Sequence, residues 1–312
     1  MAVIGVGFWG RNHVRVLSEI SEVELVAVCD INEENLRLIR DKYNVKTYTD
    51  SMEMLESESI DAVNICVWST RLSEEALKAL KSRKHVFIEK PMASSISEAE
   101  RIIKTAEKND VFLSVGFIER FNPGVVRLKK LIEDQGIGIP VSATVTRVSK
   151  WPERIGDIGV VKDTAIHDID IMRFIFDKDP EAVFANIGSL NHRFEDYAQI
   201  MLLFPDGKSA LIESNWLTPY KVRKLKVTGS DGIATVDYIT QEITVETPRE
   251  TLTPRSEWQE PLKLELKSFV DCIIGNKEPT ITGIDGLKAL RVAEAALKSA
   301  QLGRVIRLSK GS

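Results

Sequence analysis

Cysteine is scarce in this sequence, with only Cys29, Cys66 and Cys272 among 312 residues. The three are far apart, and their spacing matches neither a zinc site nor a disulfide framework. This pattern is typical of reduced thiols in a cytoplasmic protein. Because the chain enters a buried strand at its first residues, we also expect no signal peptide.

Long apolar runs and an excess of one charge are missing as well. No apolar stretch reaches the length that spans a bilayer, so we expect no membrane contact. With 42 basic and 46 acidic residues the net charge is -4, which gives no reason to expect nucleic acid as a partner. The chain length and the 43% hydrophobic content suit two globular domains.

Three glycines follow the first apolar run, in the motif GVGFWG at residues 5–10. An amphipathic helix follows the motif. In that context Gly5 allows a tight turn, Gly7 lets the backbone approach a pyrophosphate, and Gly10 allows close packing of helix and strand. The helix N-terminus would then face the phosphates. The motif predicts a dinucleotide site that includes Phe8 and Trp9.

Asp30 ends a second apolar run, Glu24–Cys29, about twenty residues further on. Its carboxylate is suited to accept hydrogen bonds from a ribose diol and to repel a 2′-phosphate. No Arg or Lys occupies positions 31–34. The sequence therefore favours NAD over NADP.

Residues 1 to about 116 alternate strand-like and helix-like segments, which predicts a doubly wound parallel sheet of the Rossmann type. The predicted strands are Met1–Ile4, Glu24–Cys29, Lys46–Tyr48, Ala62–Val67, His85–Ile88 and Val111–Val115. The predicted helices include Glu33–Lys42, Ser73–Ser82 and Ser97–Lys108, the last with a capping box of Ser97 and Glu100.

After Gly116 the pattern changes to helices and long alternating strands, which predicts an α+β domain with a large, mainly antiparallel open sheet. The predicted helices are Gly124–Glu133, Thr164–Phe176, Leu264–Ile274 and Gly286–Ala300. The predicted strands are Val141–Val148, Ala182–Leu190, Ala198–Phe204, Ser209–Asn215, Lys221–Thr228 and Ile233–Asp237. We predict a Rossmann domain over 1–117 and a substrate-binding and oligomerisation domain over 118–312, whose C-terminal helix is a candidate to pack back on the first.

Polar segments follow the later strands of the first domain, where a sheet of this kind binds its ligands. Val67, Trp68 and Ser69 are predicted cofactor contacts, as are Glu89 and Lys90. Lys90 is also a candidate to hydrogen-bond a reacting hydroxyl and stabilise its developing negative charge. The alternative is a surface lysine at the start of a loop.

Asp163 and His167 form a second constellation in DTAIHDID at residues 163–170. Four residues apart, they would share a helical face. Histidine is suited to take a proton from an alcohol. One alternative is a structural histidine that caps the helix. The other alternative is a metal held by His167, Asp168 and Asp170. We expect no metal because the two carboxylates do not share a helical face.

Four more polar residues are candidate substrate contacts. Glu119, Arg120 and Asn122 lie at the junction of the two halves, in GFIERFNP. Arg120 could grip an anionic group, whereas Asn122 is equally well explained as a helix cap before Pro123. Arg154 is a further candidate for a phosphate or a carboxylate, with a solvated loop residue as the alternative.

Taken together, GVGFWG at 5–10, EKP at 89–91, GFIERFNP at 116–123 and DTAIHDID at 163–170 resemble the Gfo/Idh/MocA family, the glucose–fructose oxidoreductase and inositol dehydrogenase group. The resemblance covers essentially the whole chain. It implies hydride transfer to a nicotinamide, with His167 as general base, Lys90 polarising the hydroxyl and Asp163 assisting. One departure is that many members carry Thr-Pro-Asn where this chain has Val67-Trp68-Ser69.

Within the family, the chain is most similar to 3-dehydrogenases of UDP-N-acetylglucosamine or its uronic acid, with Arg120, Arg154 and Lys150 as candidate UDP contacts. The keto product of that reaction could pass to an aminotransferase. A dehydrogenase of a free sugar, inositol or sugar acid is the alternative, and a non-catalytic NAD-binding sensor is an alternative of another class. The resemblance implies a homodimer or homotetramer.

Overall fold

The structure, a computed structural model, describes residues 1–152, 156–255 and 257–308. The chain divides into two compact units. The first holds Met1–Phe117 together with Leu262–Leu287, and the second holds Ile118–Pro261 together with the chain from Lys288 onward. The first unit is therefore built from two separate stretches of sequence.

The first unit contains a parallel sheet with helices between successive strands. Its strands are β1 (Ala2–Ile4), β2 (Ala27–Cys29), β3 (Lys46–Tyr48), β4 (Ala62–Ile65), β5 (His85–Glu89) and β6 (Leu113–Gly116). The helices between them are α1 (Gly10–Glu19), α2 (Glu33–Tyr43), α3 (Ser51–Ser57), α4 (Ser69–Lys81) and α5 (Ile96–Asn109). The strand order β3-β2-β1-β4-β5-β6 confirms the predicted Rossmann sheet.

The middle of this sheet is completely buried. Every residue of β1 and β4 is buried, as expected for strands covered by helices on both faces. The order of the strands reverses between β1 and β4, which are hydrogen-bonded neighbours. At such a switch point ligands bind outside the carboxyl ends of the strands. The glycine motif and residues 67–69 follow these two strands.

Three details of the first unit differ from the sequence prediction. Helix α3 was not predicted, and α4 begins at Ser69 instead of Ser73. The capping box was placed two residues too late. Ser95, not Ser97, accepts a hydrogen bond from the Glu98 N–H, and Glu98 accepts one from the Ser94 N–H. In this serine-rich segment the backbone turn, and not the residue type, selects the cap.

The second unit is organised around a nine-stranded sheet. Its strands are β7 (Pro140–Lys150), β8 (Ala182–Gly188), β9 (Tyr197–Leu203), β10 (Ser209–Asn215), β11 (Leu217–Gly229), β12 (Ile233–Asp237), β13 (Ile243–Glu246), β14 (Thr251–Leu252) and β15 (Ile306–Arg307). Its helices include α6 (Pro123–Glu133) and α7 (Ile166–Phe176). The order is β14-β13-β12-β11-β7-β10-β9-β8-β15. Among the strands that the structure describes, only β7 and β10 pair in parallel, so the predicted mainly antiparallel sheet is confirmed.

The two faces of this sheet differ in burial. Side chains such as Ile212 and Leu225 are fully buried on one face. On the other face Phe184, Met201 and Leu211 lie directly opposite one another across β8, β9 and β10. They are 42%, 43% and 41% exposed. This row of three apolar side chains is called the exposed apolar row below.

The chain returns to the first unit after the nine-stranded sheet, through α8 (Pro261–Ile274) and the start of α9 (Gly283–Leu302). The ring of Phe269 on α8 packs edge-on against Phe87 of β5, with centroids 5.7 Å apart. The Ser114 hydroxyl of β6 donates to the Ile281 carbonyl at 2.9 Å. The later segment thus contributes to the core of the first unit.

Within the described ranges, no helix combines the length and the hydropathy needed to cross a bilayer.

Candidate active site

The glycine loop has the geometry that its three glycines predict. Gly5 has a φ of +85°, and a Cβ there would lie 2.8 Å from the carbonyl carbon of Cys66. A Cβ on Gly10 would lie 1.8 Å from the Gly5 carbonyl oxygen, so helix and strand approach too closely for a side chain. A Cβ on Gly7 would meet nothing within 4 Å. The space beside Gly7 fits the close approach of a dinucleotide phosphate.

Asp30 lies at the end of β2 and contacts the same loop. Its Oδ2 accepts a hydrogen bond from the Val6 N–H at 2.8 Å, and its Oδ1 accepts one from the Asn32 N–H, also at 2.8 Å. Oδ2 also accepts a long hydrogen bond from the Asn35 amide at 3.4 Å. The carboxylate is only partly buried, and Oδ1 keeps a second lone-pair direction. Asp30 therefore holds the loop and can still accept bonds from a ribose.

A buried hydrogen-bond network lies under the loop and was not predicted. Glu89 Oε1 accepts from the Trp9 indole N–H at 2.9 Å and contacts His13 Nε2 at 3.1 Å. The other ring nitrogen of His13 is 3.1 Å from the Asn64 amide nitrogen. Gly116 makes room for the carboxylate, because a Cβ there would lie 2.9 Å from Glu89 Oε1. The predicted cofactor contacts Trp9 and Glu89 thus also bond to each other.

This network keeps Glu89 ionised. Burial alone would raise the pKa of its carboxyl. The hydrogen bond and charge of His13, the charge of Lys90 and the hydrogen bond of Trp9 together outweigh burial and hold that pKa below its usual value. His13 is completely buried. The signal for its role was its position three residues after Gly10, on the same helical face as the buried Leu17.

Replacing His13 with leucine should destabilise the protein by about 1–3 kcal/mol, because Glu89 stays buried without its main hydrogen-bond partner. The pKa of Glu89 is depressed in the folded state. Its stabilisation is therefore complete above the unfolded pKa of about 4.3 and is lost as the pH falls through the depressed value. Urea unfolding of both proteins should show the widest gap near neutral pH and a narrower gap in acid.

His13→Gln is the matched control, since an amide can still donate to Glu89. It should recover part of the lost stability. Equal midpoints for wild type, His13→Leu and His13→Gln at neutral pH would contradict a stabilising role for the network.

The remaining predicted cofactor contacts lie on the same unit. Lys90 follows β5, is half-buried, and donates its backbone N–H to Glu89 Oε2 at 3.3 Å. Its peptide bond to Pro91 is cis. Phe8 and Trp68 are 68% and 57% exposed. Val67 precedes Trp68, and Ser69 begins α4; both are partly buried.

Asp163 lies in a π-helical turn, Val161–Ala165, that leads directly into α7. The sequence predicted an ordinary helix from Thr164. A π turn is rare, bonds each N–H to the carbonyl five residues earlier, and often occurs at functional sites. Asp163 is 5% exposed, and His167 lies partly exposed in the first turn of α7. The two predicted acid–base residues therefore lie on adjoining turns, a π turn and the first turn of α7. We call this segment, residues 161–167, the acid–base turn.

A chain of hydrogen bonds holds Asp163. The Trp216 indole N–H donates to Thr164 Oγ1 at 3.1 Å, and the Thr164 hydroxyl in turn donates to Asp163 Oδ2 at 3.2 Å. Trp216 is 3% exposed, so this chain is anchored in the core of the second unit. Sequence reasoning missed Thr164 and Trp216 because they are 52 residues apart and no motif joins them.

Two predicted substrate contacts turn inward. Glu119 is 6% exposed and accepts from Arg147 at 2.7 Å. Asn122 is 2% exposed; its Oδ1 caps α6 by accepting from the Gly124 N–H, while its amide donates to the Tyr238 carbonyl. The polar groups of both residues are used inside the protein, and a substrate contact by either stays a prediction.

Arg120, the third residue of this junction, is also engaged inside the second unit. Its guanidinium binds both oxygens of Asp170, at 2.6 and 2.7 Å, and its side chain is 10% exposed. The prediction that Arg120 grips a substrate phosphate is untested, and this ion pair does not favour it. Arg154, the fourth predicted contact, lies outside the described residues.

Arg147 of β7 is the central residue of this interior. Its guanidinium binds both oxygens of Asp168 at 2.8 Å and Glu119 at 2.7 Å. Burial alone would lower the pKa of Arg147, but the two carboxylates raise it well above the usual value. Asp168 and Asp170 thus each face an arginine. The described ranges contain no group of three or more His, Cys, Asp or Glu side chains arranged for a metal.

Comparison with known proteins agrees with this geometry. Residues 1–117 match the oxidoreductase family with the NAD-binding Rossmann fold (GFO/IDH/MocA), and residues 125–235 match the GFO/IDH/MocA C-terminal domain. A myo-inositol 2-dehydrogenase of Thermotoga maritima is 30% identical over 99% of this chain and 98% of its own length.

Solved structures share the whole fold. An oxidoreductase from Agrobacterium radiobacter, in complex with NAD+, L-tartaric acid and magnesium, is 22% identical with a TM-score of 0.91, over 98% of this chain and 97% of its own. The UDP-N-acetylglucosamine 3-dehydrogenase of Acidithiobacillus ferrooxidans is 23% identical with a TM-score of 0.89, over 96% and 97%.

The fold, the glycine loop and these relatives define an NAD-dependent dehydrogenase that acts on a CH–OH group. The chain belongs to the GFO/IDH/MocA oxidoreductase family.

Proposed function

We propose that this protein oxidises a ring hydroxyl of a sugar or cyclitol to a ketone. The observation that carries the proposal is the acid–base turn, where a partly buried chain of hydrogen bonds from Trp216 through Thr164 holds Asp163 four residues before His167. A carboxylate and an imidazole at the start of one helix suit proton removal from an alcohol. The glycine loop on the first unit fits the cofactor of the same reaction.

Three side chains carry the chemistry in this proposal. His167 takes the proton of the substrate hydroxyl. Lys90 donates to the same oxygen and stabilises the negative charge that develops as the proton leaves. Asp163 orients the reacting groups. NAD, when bound, supplies the hydride acceptor.

The cofactor proposed is NAD in preference to NADP. The partly buried carboxylate of Asp30 stands at the end of β2, where the 2′ position of the ribose is read in folds of this type. A 2′-phosphate there would be repelled, and the next residue, Ile31, is 91% exposed and offers no positive charge.

Two substrate classes remain as proposals, each with its own support. The sequence motifs favour the 3-hydroxyl of UDP-N-acetylglucosamine or its uronic acid. The 30% identity to a myo-inositol 2-dehydrogenase supports a free cyclitol. A sugar nucleotide would need cationic partners other than Arg120, since that side chain binds Asp170.

The test is near-ultraviolet NADH absorbance with the protein at near-stoichiometric amounts. NAD or NADP would be mixed with UDP-N-acetylglucosamine, its uronic acid, glucose, glucuronate or myo-inositol. We expect NADH absorbance to rise with NAD and at least one of these substrates. His167→Gln should lower the oxidation rate by about 10²–10⁴-fold. His85→Gln, at the amino end of β5, is the control and should keep the rate. Full turnover by His167→Gln would remove the proposed base.

We also propose that the protein self-associates through its open sheet. The exposed apolar row covers three adjacent strands, and apolar groups on a sheet face are stabilised when a second surface covers them. Light scattering of the wild type against Met201→Lys would detect a dimer or tetramer that depends on this row.

A further inference from the structure

Two arginines lie directly opposite each other in the sheet of the second unit. Arg147 of β7 and Arg223 of β11 are paired residues of neighbouring antiparallel strands. Like charges in this position repel each other and destabilise a sheet unless other groups compensate them. The two arginines are compensated to very different degrees.

Arg147 is fully compensated. It binds Asp168 through two hydrogen bonds and Glu119 through a third, and its side chain is 2% exposed. Asp168 and Glu119 are themselves buried, so both carboxylates of this cluster are directed at Arg147. Little of their negative charge remains for a second cation.

Arg223 is compensated weakly. The nearest carboxylate oxygen is Glu119 Oε1 at 3.4 Å, and this is the same oxygen that Arg147 holds at 2.7 Å. The side chain of Arg223 is 37% exposed. Lys221 lies two residues earlier on β11, is exposed, and makes no ion pair with any described residue. We call Arg223 and Lys221 the cationic pair.

The two members of the cationic pair disturb each other. The charge of Arg223, followed by burial, lowers the pKa of Lys221. Burial, followed by the charge of Arg147, lowers the pKa of Arg223. An anion placed between the two side chains would relieve this repulsion.

The cationic pair is near the proposed chemistry. Arg147, which lies opposite Arg223 in the sheet, binds Asp168, the residue that follows His167 on α7. The strand is irregular here, since its register to β7 shifts between Leu217 and Val222. Such irregularities often redirect side chains next to active sites.

We propose that Arg223 and Lys221 bind an anionic group of the substrate, a carboxylate or a phosphate. The substrate is then a sugar acid or a phosphorylated sugar, and not a neutral cyclitol. This inference rests on the proposed dehydrogenase function and identifies its substrate class. It also supplies the cationic partners that a sugar nucleotide needs and that Arg120 does not provide.

The sequence carried a signal for this site. Along β11, Lys221 and Arg223 follow the same two-residue spacing as the buried Leu225 and Val227. Two cations in register with apolar positions are unusual for a strand that packs against a core. They are expected where that face of the sheet opens onto a ligand.

The test compares wild type, Arg223→Gln and Lys221→Met with the control Lys224→Met, which removes an exposed charge from the opposite face of β11. Oxidation of glucuronate and of UDP-N-acetylglucosamine reports carboxylate and phosphate recognition separately. We expect the KM for the anionic substrate to rise about tenfold or more in both variants. The control should match the wild type, and myo-inositol should be a poor substrate for every protein.

Binding measurements separate the inference from the proposed function. Calorimetric titration with glucuronate and with UDP needs no turnover. It therefore measures anion binding even if none of the sugars is oxidised. Binding of either anion to the wild type and its loss in Arg223→Gln would support the cationic pair. Lys221→Met changes an exposed side chain, so it can test the cationic pair even if Arg223→Gln unfolds. No binding of either anion, or equal KM values for all four proteins, would overturn the inference.

Discussion

Lys90→Met should lower kcat/KM for the oxidised sugar by about 10²–10³-fold, the effect of removing one donor to a developing oxyanion. Methionine has a similar length and fits the half-buried position at the end of β5. The hydrogen bond from the backbone N–H of residue 90 to Glu89 does not depend on the side chain. NAD affinity, followed by quenching of tryptophan fluorescence, should therefore fall much less than kcat/KM, because the other predicted cofactor contacts remain.

Lys84→Met is the matched control for this prediction, because it makes the same substitution just before the amino end of β5. Its kcat/KM should equal that of the wild type. If Lys90→Met turned over a genuine substrate at the wild-type rate, Lys90 would be a surface lysine that starts a loop, and the catalytic proposal would lose one of its three groups.

Gly10→Ala should destabilise the protein by about 4 kcal/mol or more. The added Cβ would lie 1.8 Å from the Gly5 carbonyl oxygen, which is backbone and cannot rotate away. Relief would require α1 to move from β1, and the glycine loop would be lost with it. Thermal unfolding should show a large decrease in Tm, and NAD binding should be absent.

Gly7→Ala separates cofactor binding from stability. Its φ is not in the left-handed region, and its Cβ would meet no atom within 4 Å, so the unfolding free energy should stay within about 0.5 kcal/mol of the wild type. The methyl group would occupy the space that we assign to the phosphates. NAD affinity should fall about tenfold or more. A Gly7→Ala protein that binds NAD as tightly as the wild type would show that the phosphates lie elsewhere.

The sequence predicts the glycine loop well because each glycine meets a local backbone requirement. Gly5 needs a positive φ, and Gly10 needs the absence of a side chain next to a carbonyl only five residues away. Such constraints act over a few residues and leave a fixed pattern. The short apolar strands of the first unit were predicted for the same reason, since burial on both faces requires continuous apolar runs.

The buried polar networks could not be predicted in this way. His13 meets Glu89 across 76 residues, and Arg147 meets Asp168 across 21. No spacing rule identifies which acidic residue faces inward, so Glu119 was interpreted as a substrate contact. The π turn at Asp163 was missed because its apolar and polar pattern is compatible with an ordinary helix.

The two-part composition of the first unit has a consequence for how the protein is made. Phe269 of α8 and Ile281 complete contacts with Phe87 and Ser114, yet they are synthesised after the entire sheet of the second unit except β15. At about 5–20 residues per second, a ribosome needs on the order of ten seconds to pass from Phe117 to Leu262. During that interval the nascent Rossmann sheet leaves Phe87 uncovered. We expect a fragment that stops at Phe117 to bind chaperones and aggregate, whereas the complete chain folds once α8 has left the exit tunnel.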